Sequence, residues 1–248
     1  MNGEFVKELY GKIARPLGLP DQEDKTRLFA PLGWTDVTPK QATVAPLVVG
    51  TLTAFVEYVK RNVDGLVLAE CLVHVKSPAA VELRAKLEEE AASFRRQMYL
   101  QASTEMVAGA PFQFGQYLDA EQFFIGLQSA FLQTPQRDEI LALIASIRES
   151  TVQETLDDGV AQQVKTAGGI VLVGLTKVPN PVTLQPFRTF REVAQPASLF
   201  ILRLQSGQGD KPRCALFEAD GSAWKLEAVQ GIAAFLRTAL GDVPAIIA

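Results

Sequence analysis

One histidine, two cysteines and a handful of carboxylates are the residues of this chain whose chemistry is worth testing first. His74 sits midway along an apolar, strand-like run, with no G-x-S-x-G elbow anywhere to supply a nucleophile. It is expected near the core or in an interface, and one histidine excludes a histidine-based zinc site. Cys71 and Cys214 lie far apart in apolar runs, which predicts two reduced, buried thiols. Gly168, Gly169 and Gly174 match neither G-x-G-x-x-G nor a P-loop, and a turn into a strand accounts for them. Asp157, Asp158, Glu192, Glu218 and Asp220 fall at strand ends or turns. Converging, they would bind Mg²⁺ as in a nuclease, but Asp-Gly and Glu-Ala-Asp-Gly are also ordinary turn chemistry. No catalytic residue, metal ligand or cofactor is assigned, and the chain reads as a non-enzyme, with a metal-dependent nuclease ranked third.

The basic residues make the denser cluster. Between Val182 and Arg213 there are five, Arg188, Arg191, Arg203, Lys211 and Arg213, against Glu192 and Asp210, a net of +3. Phe187 and Phe190 are interleaved with Arg188 and Arg191. Rings beside arginines suit single-stranded nucleic acid. The competing reading turns the rings to the core and the arginines to solvent or to a subunit interface, and it is preferred because the whole chain carries a charge of −4. Arg188, Arg191, Phe187, Phe190, Arg203 and Arg213 are therefore interface or nucleic-acid candidates.

These residues need elements to hold them. The 248 residues, 48% hydrophobic and 21% charged, are ordinary for a soluble globular protein. The first residues lack the apolar core of a secretory signal, and no apolar run reaches the roughly 18 residues of a membrane span, so a cytoplasmic location without membrane partners is expected. Prolines at 16, 20, 31, 39 and 46 break every helix beyond the first dozen residues, and residues 1–50 read as an extended arm. Residues 51–248 read as one α+β domain. Within it, 51–62 has helical spacing and 66–76 strand spacing. Residues 80–103 hold two alternating runs about an acidic link, Glu88-Glu89-Glu90, read as a projecting hairpin in competition with one charged helix. Asp119 with Gln122, and Thr134-Pro135, signal two helix starts. Strands are expected over 161–165, 170–175, 182–190, 198–205 and 213–217, then an amphipathic helix from Trp224.

The strings DDGVAQQV, VPNPVTLQPFRTFREVAQPASLFILRL and ALFEADGSAWKLEAV resemble the YfdQ-like proteins of prophages and phages, a domain family of unknown function. The resemblance runs from about residue 51 to 240. It implies a phage or prophage origin and transfers no catalytic residue. The element order of arm, hairpin, central helices and β-rich body is that of the tailed-phage capsid or encapsulin shell fold, an analogy of order alone. The expectation is a non-enzymatic protein of the host-cell cytoplasm that self-assembles into a homo-oligomer, a capsid-like or encapsulin-like shell. The alternative is an early or counter-defence phage factor binding a nucleotide or single-stranded nucleic acid.

Overall fold

A computed structural model describes residues 17–20, 26–30, 35–36, 45–87, 96–104, 112–147, 151–157, 162–168, 171–206 and 212–248. The chain divides into two units, residues 1–44 and 45–248, and has the α+β composition expected. The first unit carries an antiparallel meander of three short strands, β1 (Leu17–Pro20), β2 (Thr26–Ala30) and β3 (Thr35–Asp36), where an arm was expected.

The second unit is built around two apolar cores. One lies under a five-stranded sheet of β4 (Leu47–Val49), β5 (Cys71–Ser77), β6 (Ala80–Ala85), β7 (Met98–Ser103) and β15 (Ala245–Ile247). The strand order is β15-β5-β6-β7-β4. The three central strands are antiparallel, and β15 and β4 add parallel edges. Val73 and Val75 of β5, Val81 and Leu83 of β6, and Leu100 and Ala102 of β7 share the inner face. Helices α1 (Leu52–Arg61) and α4 (Trp224–Leu240) cover it with Phe55, Val59, Ile232 and Leu236. Between residues 80 and 85 the period of two prevails over helix propensity, because pairing on both sides lets one face of β6 be buried. The link 88–95 lies outside the described residues.

Local chemistry sets the helix ends. Thr51 caps α1 by accepting from the Ala54 N–H at 3.1 Å. Asn62 closes it at φ 45°, and its amide bonds both the N–H and the carbonyl of Leu66. The strand expected over 66–76 begins only at Cys71. Before it, Leu68–Glu70 closes as a 3₁₀ turn, with the Glu70 N–H donating to the Val67 carbonyl at 2.8 Å.

The second core lies under an antiparallel sheet of β8 (Leu118–Asp119), β12 (Val182–Leu184), β13 (Ser198–Ser206) and β14 (Pro212–Glu218). Its strand order is β12-β13-β14-β8. Helices α2 (Ala120–Ala130) and α3 (Pro135–Ile147) pack on it through Phe123, Leu127, Ile140 and Ile144. Both starts follow the signals: Asp119 accepts from the Gln122 N–H and Thr134 from the Arg137 N–H. A third sheet, the meander of β9 (Thr151–Asp157), β10 (Gln162–Gly168) and β11 (Val171–Val178), includes one strand, β9, that alternation does not single out. The strand expected over 182–190 stops at Leu184. Pro186 lacks a donor for a ladder, and the chain leaves the sheet as a loop.

Phe112 wedges between Phe114, Phe123 and Phe131 with ring centroids 5.0–5.3 Å apart. Gly126 of α2 makes room for it: a Cβ there would sit 2.8 Å from the Phe112 ring. Three rings brace Phe112, so the overpacking cost of about 1–3 kcal/mol outweighs the roughly 1 kcal/mol that alanine gains in a helix. Gly126→Ala is expected to lower the thermal midpoint, and a midpoint raised by the substitution would show that the ring cluster is loose.

Candidate anion-binding site

The structure disperses the six residues nominated by the basic, aromatic segment. Phe190 is buried in the core under the five-stranded sheet. Arg188 is buried as well, 6% exposed. Its guanidinium lies over the Trp224 indole at 4.0 Å from the ring centroid and bonds the Glu218 carboxylate and the Ser198 hydroxyl. Burial pulls its pKa down while Glu218 and Asp220 pull it back up, and the group stays charged. Arg191 stacks on Phe187 at 3.7 Å at the surface. Arg203 and Arg213 lie on the outer face of the other sheet, where Arg213 reaches the Tyr117 carbonyl.

The loop between Leu184 and Ser198 is fixed by Gln195. Its Oε1 accepts from the N–H groups of Arg188 and Thr189 at 2.9 and 3.2 Å, and its Nε2 donates to the carbonyls of Phe190 and Val193. The loop then reaches the other half of the unit. Thr189 donates to the Pro78 carbonyl at 2.6 Å, and Glu192 accepts from the Thr53 N–H at the start of α1. Asp220 accepts from the Ser222 N–H in a turn. Glu192, Glu218 and Asp220 are thus occupied separately, and no metal-binding group of acids, cysteines and histidine forms among the described residues. Asp158 lies outside them, as does the Asp157 side chain. Burial pushes the Cys214 thiol up to about 12 and raises that of Cys71, so neither is a thiolate nucleophile near neutral pH.

Charge gathers elsewhere, on the outer face of the five-stranded sheet. Direct cross-strand pairing puts Ile247, His74, Glu82, Gln101 and Val48 in one row across β15, β5, β6, β7 and β4. Around the first three a concavity of about 400 Å³ opens, walled by Leu72 and Ile247 and lined by His74, Lys76, Glu82, Arg84 and Arg96. Glu82 is its floor, only 2% exposed. Lys76 Nζ donates to one carboxylate oxygen at 3.1 Å and Arg84 Nε to the other at 2.7 Å. Burial pushes the Glu82 pKa up, but the hydrogen bonds and charges of Arg84 and Lys76 outweigh it, and the carboxyl titrates below its usual range. Arg84 Nη1 also donates to the Arg96 carbonyl at 3.3 Å.

Glu82 therefore draws two cationic heads together over one spot and leaves most of their N–H donors facing out. Three permanent cations against one carboxylate leave the concavity at +2, within a chain of −4. His74 adds a ring nitrogen 3.9 Å from Glu82 and is 43% exposed, on the open face rather than in the core. The alternation of 80–103 shows Glu82 and Arg84 only as polar residues on one side of a run. That they lie opposite His74 and Leu72 depends on register, which the alternation does not contain. The usable signal is the two adjacent period-two runs, laid antiparallel with their polar faces matched.

Arg188 is enclosed, and its removal should be felt as lost stability. Arg188→Ala is expected to cost about 3 kcal/mol in denaturant unfolding, since it empties the space against Trp224 and strands Glu218. Arg188→Met, which refills the space, is expected to cost less. Equal losses would show that charge pairing alone matters there.

No helix among the described residues is long and apolar enough to cross a membrane. Comparison with protein-family models, with curated proteins and with solved structures finds no significant match, so function has to be read from the chemistry of the site.

Proposed function

We propose that the protein binds a phosphate-bearing ligand, a nucleotide or nucleic acid, on the open face of its five-stranded sheet. The observation that supports this is the convergence of Lys76 and Arg84 on the buried Glu82, with Arg96 lining the same concavity. Charge-assisted donors held at a fixed spacing suit phosphate oxygens. Leu72 and Ile247 offer an apolar wall for a sugar or base. The shallow, open form of the site suits binding without bond cleavage. If the resemblance of residues 51–240 to YfdQ-like proteins is one of descent, such a binder belongs to a phage or prophage.

Fluorescence anisotropy with a labelled nucleoside triphosphate and a labelled single-stranded oligonucleotide tests the reading. Binding is expected at low salt and should weaken steadily as salt rises. Lys76→Ala and Arg96→Ala are each expected to weaken it about fivefold to tenfold, corresponding to about 1–1.5 kcal/mol for one phosphate contact. Arg213→Ala and Arg191→Ala should leave it unchanged. The reverse pattern would move the site to the basic segment, and no binding of either probe would remove the proposal.

Self-assembly into a capsid-like shell is the second reading. It is supported by the outer strands of the same sheet, where Leu47 and Val48 of β4 and Ile247 of β15 are more than half exposed on edges that pair with no further strand among the described residues. Against it, each edge strand is three residues long and follows a proline, Pro46 or Pro244, a design that blunts pairing. Light scattering on a sizing column decides it: a megadalton particle supports a shell, and a monomer or dimer rules one out.

A further inference from the structure

The basic concavity is not alone on this sheet. A second, of about 440 Å³, is formed by Val48, Val49, Gly50, Ser103 and Thr104 at the opposite edge. Val48 closes the cross-strand row that begins at Ile247 and His74, and Ser103 lies one pair further along β7 on the same face as Gln101. The first hollow thus holds one end of the row, and the second meets its other end at Val48 and runs past it along β4 and β7 to Gly50 and Thr104, with Val48 and Ser103 on the same face as Glu82. The ground between them is polar or small: Gln101 stands in the row, and Ala80, paired with Ser103, leaves the path beside Glu82 low.

The chemistry differs between the ends. At the first, permanent cations meet apolar side chains. At the second, the hydroxyls of Ser103 and Thr104 lie beside the exposed Val48 and the bare backbone of Gly50, with no charge of either sign. From β5 to β4 is three strand spacings, about 14 Å. A single phosphate or a mononucleotide fills one hollow and leaves the other empty. Roughly four stacked nucleotides, at about 3.4 Å each, span both. Open sheet faces bind single strands in this way, with phosphates at the charged rim and bases laid against side chains of the strands.

We infer that the ligand is a single-stranded nucleic acid lying across the strands, anchored by phosphate at Lys76, Arg84 and Arg96 and extending over Gln101 to Val48 and Ser103. This rests on the reading of the basic concavity as a phosphate site and adds length and direction to it. The strand crosses the sheet from β5 to β4, and the second hollow takes a sugar or base through hydroxyl and apolar contacts.

The test is a length series, oligo-dT and oligo-U of one, two, four and eight nucleotides, titrated against the full chain at fixed low salt. Affinity is expected to rise at least tenfold from one nucleotide to four and to level off thereafter, in either series. Val48→Glu, a change at a position 60% exposed and therefore tolerated by the fold, is expected to weaken the octamer about tenfold and leave the mononucleotide unchanged. Ser103→Ala should act in the same direction, more weakly. A mononucleotide that binds as tightly as the octamer overturns the spanning strand while keeping the phosphate site, as does a Val48→Glu protein with unaltered octamer affinity. If no length binds, the phosphate site itself is wrong.

Discussion

Arg188 carries a charge that the fold has buried, and the partners it demands decide how the larger unit is put together. An unpaired guanidinium away from water costs several kcal/mol, so the chain has to bring it acceptors and a surface to lie on. These come from three separate places: Ser198 at the start of β13, Glu218 at the end of β14 and Trp224 at the first turn of α4. Once Arg188 is seated, the rest of its loop has little choice. Phe190, two residues on, enters the core under the five-stranded sheet, while Val182 and Leu184 before it belong to the other core. Thr189 and Glu192 then tie the loop to the β5–β6 turn and to α1. One loop is thereby stitched into both cores, and Gln195 holds its shape from within.

The two arginine–glutamate clusters show how similar residues serve opposite ends. Around Arg188 the cation is the buried partner, enclosed by rings and by the start of a helix, while Glu218 stays partly exposed. Around Glu82 the carboxylate is the buried partner and the cations form the rim, with Lys76 57% exposed. Burying the anion and leaving the cations in water reverses the electrostatic sense of the site. The first arrangement stabilises a junction. The second keeps positive charge positioned where a ligand can meet it, in a chain that is acidic overall.

Short-range features are legible in the residues themselves. The Thr51, Asp119 and Thr134 caps, the helix faces of Phe55 and Phe123, and the strands over 198–206 and 212–218 follow from patterns a few residues long. The early end of β12 is harder to see, because Val182 to Phe190 keeps the composition of a strand while Pro186 removes the donor that would continue it. The partners of Arg188 are out of reach as well. They stand 10, 30 and 36 residues away, and no local rule distinguishes a buried arginine from a solvated one.

The candidate site divides along the same line. From the residues alone, 66–76 has strand spacing with one apolar face, and Glu82 and Arg84 share the polar side of an alternating run that a charged helix would also accommodate, while the single histidine is expected near the core or in an interface. Side-chain direction in a strand has a period of two and needs no knowledge of neighbours. That His74 stands on the open face opposite Glu82, that Gln101 and Val48 extend the row, and that the short strand β15 brings Ile247 beside it follow from strand pairing across the sheet. Register is a relation between segments, set by the burial of inner faces against α1 and α4, and slipping one strand by a single residue would turn its charges into the core.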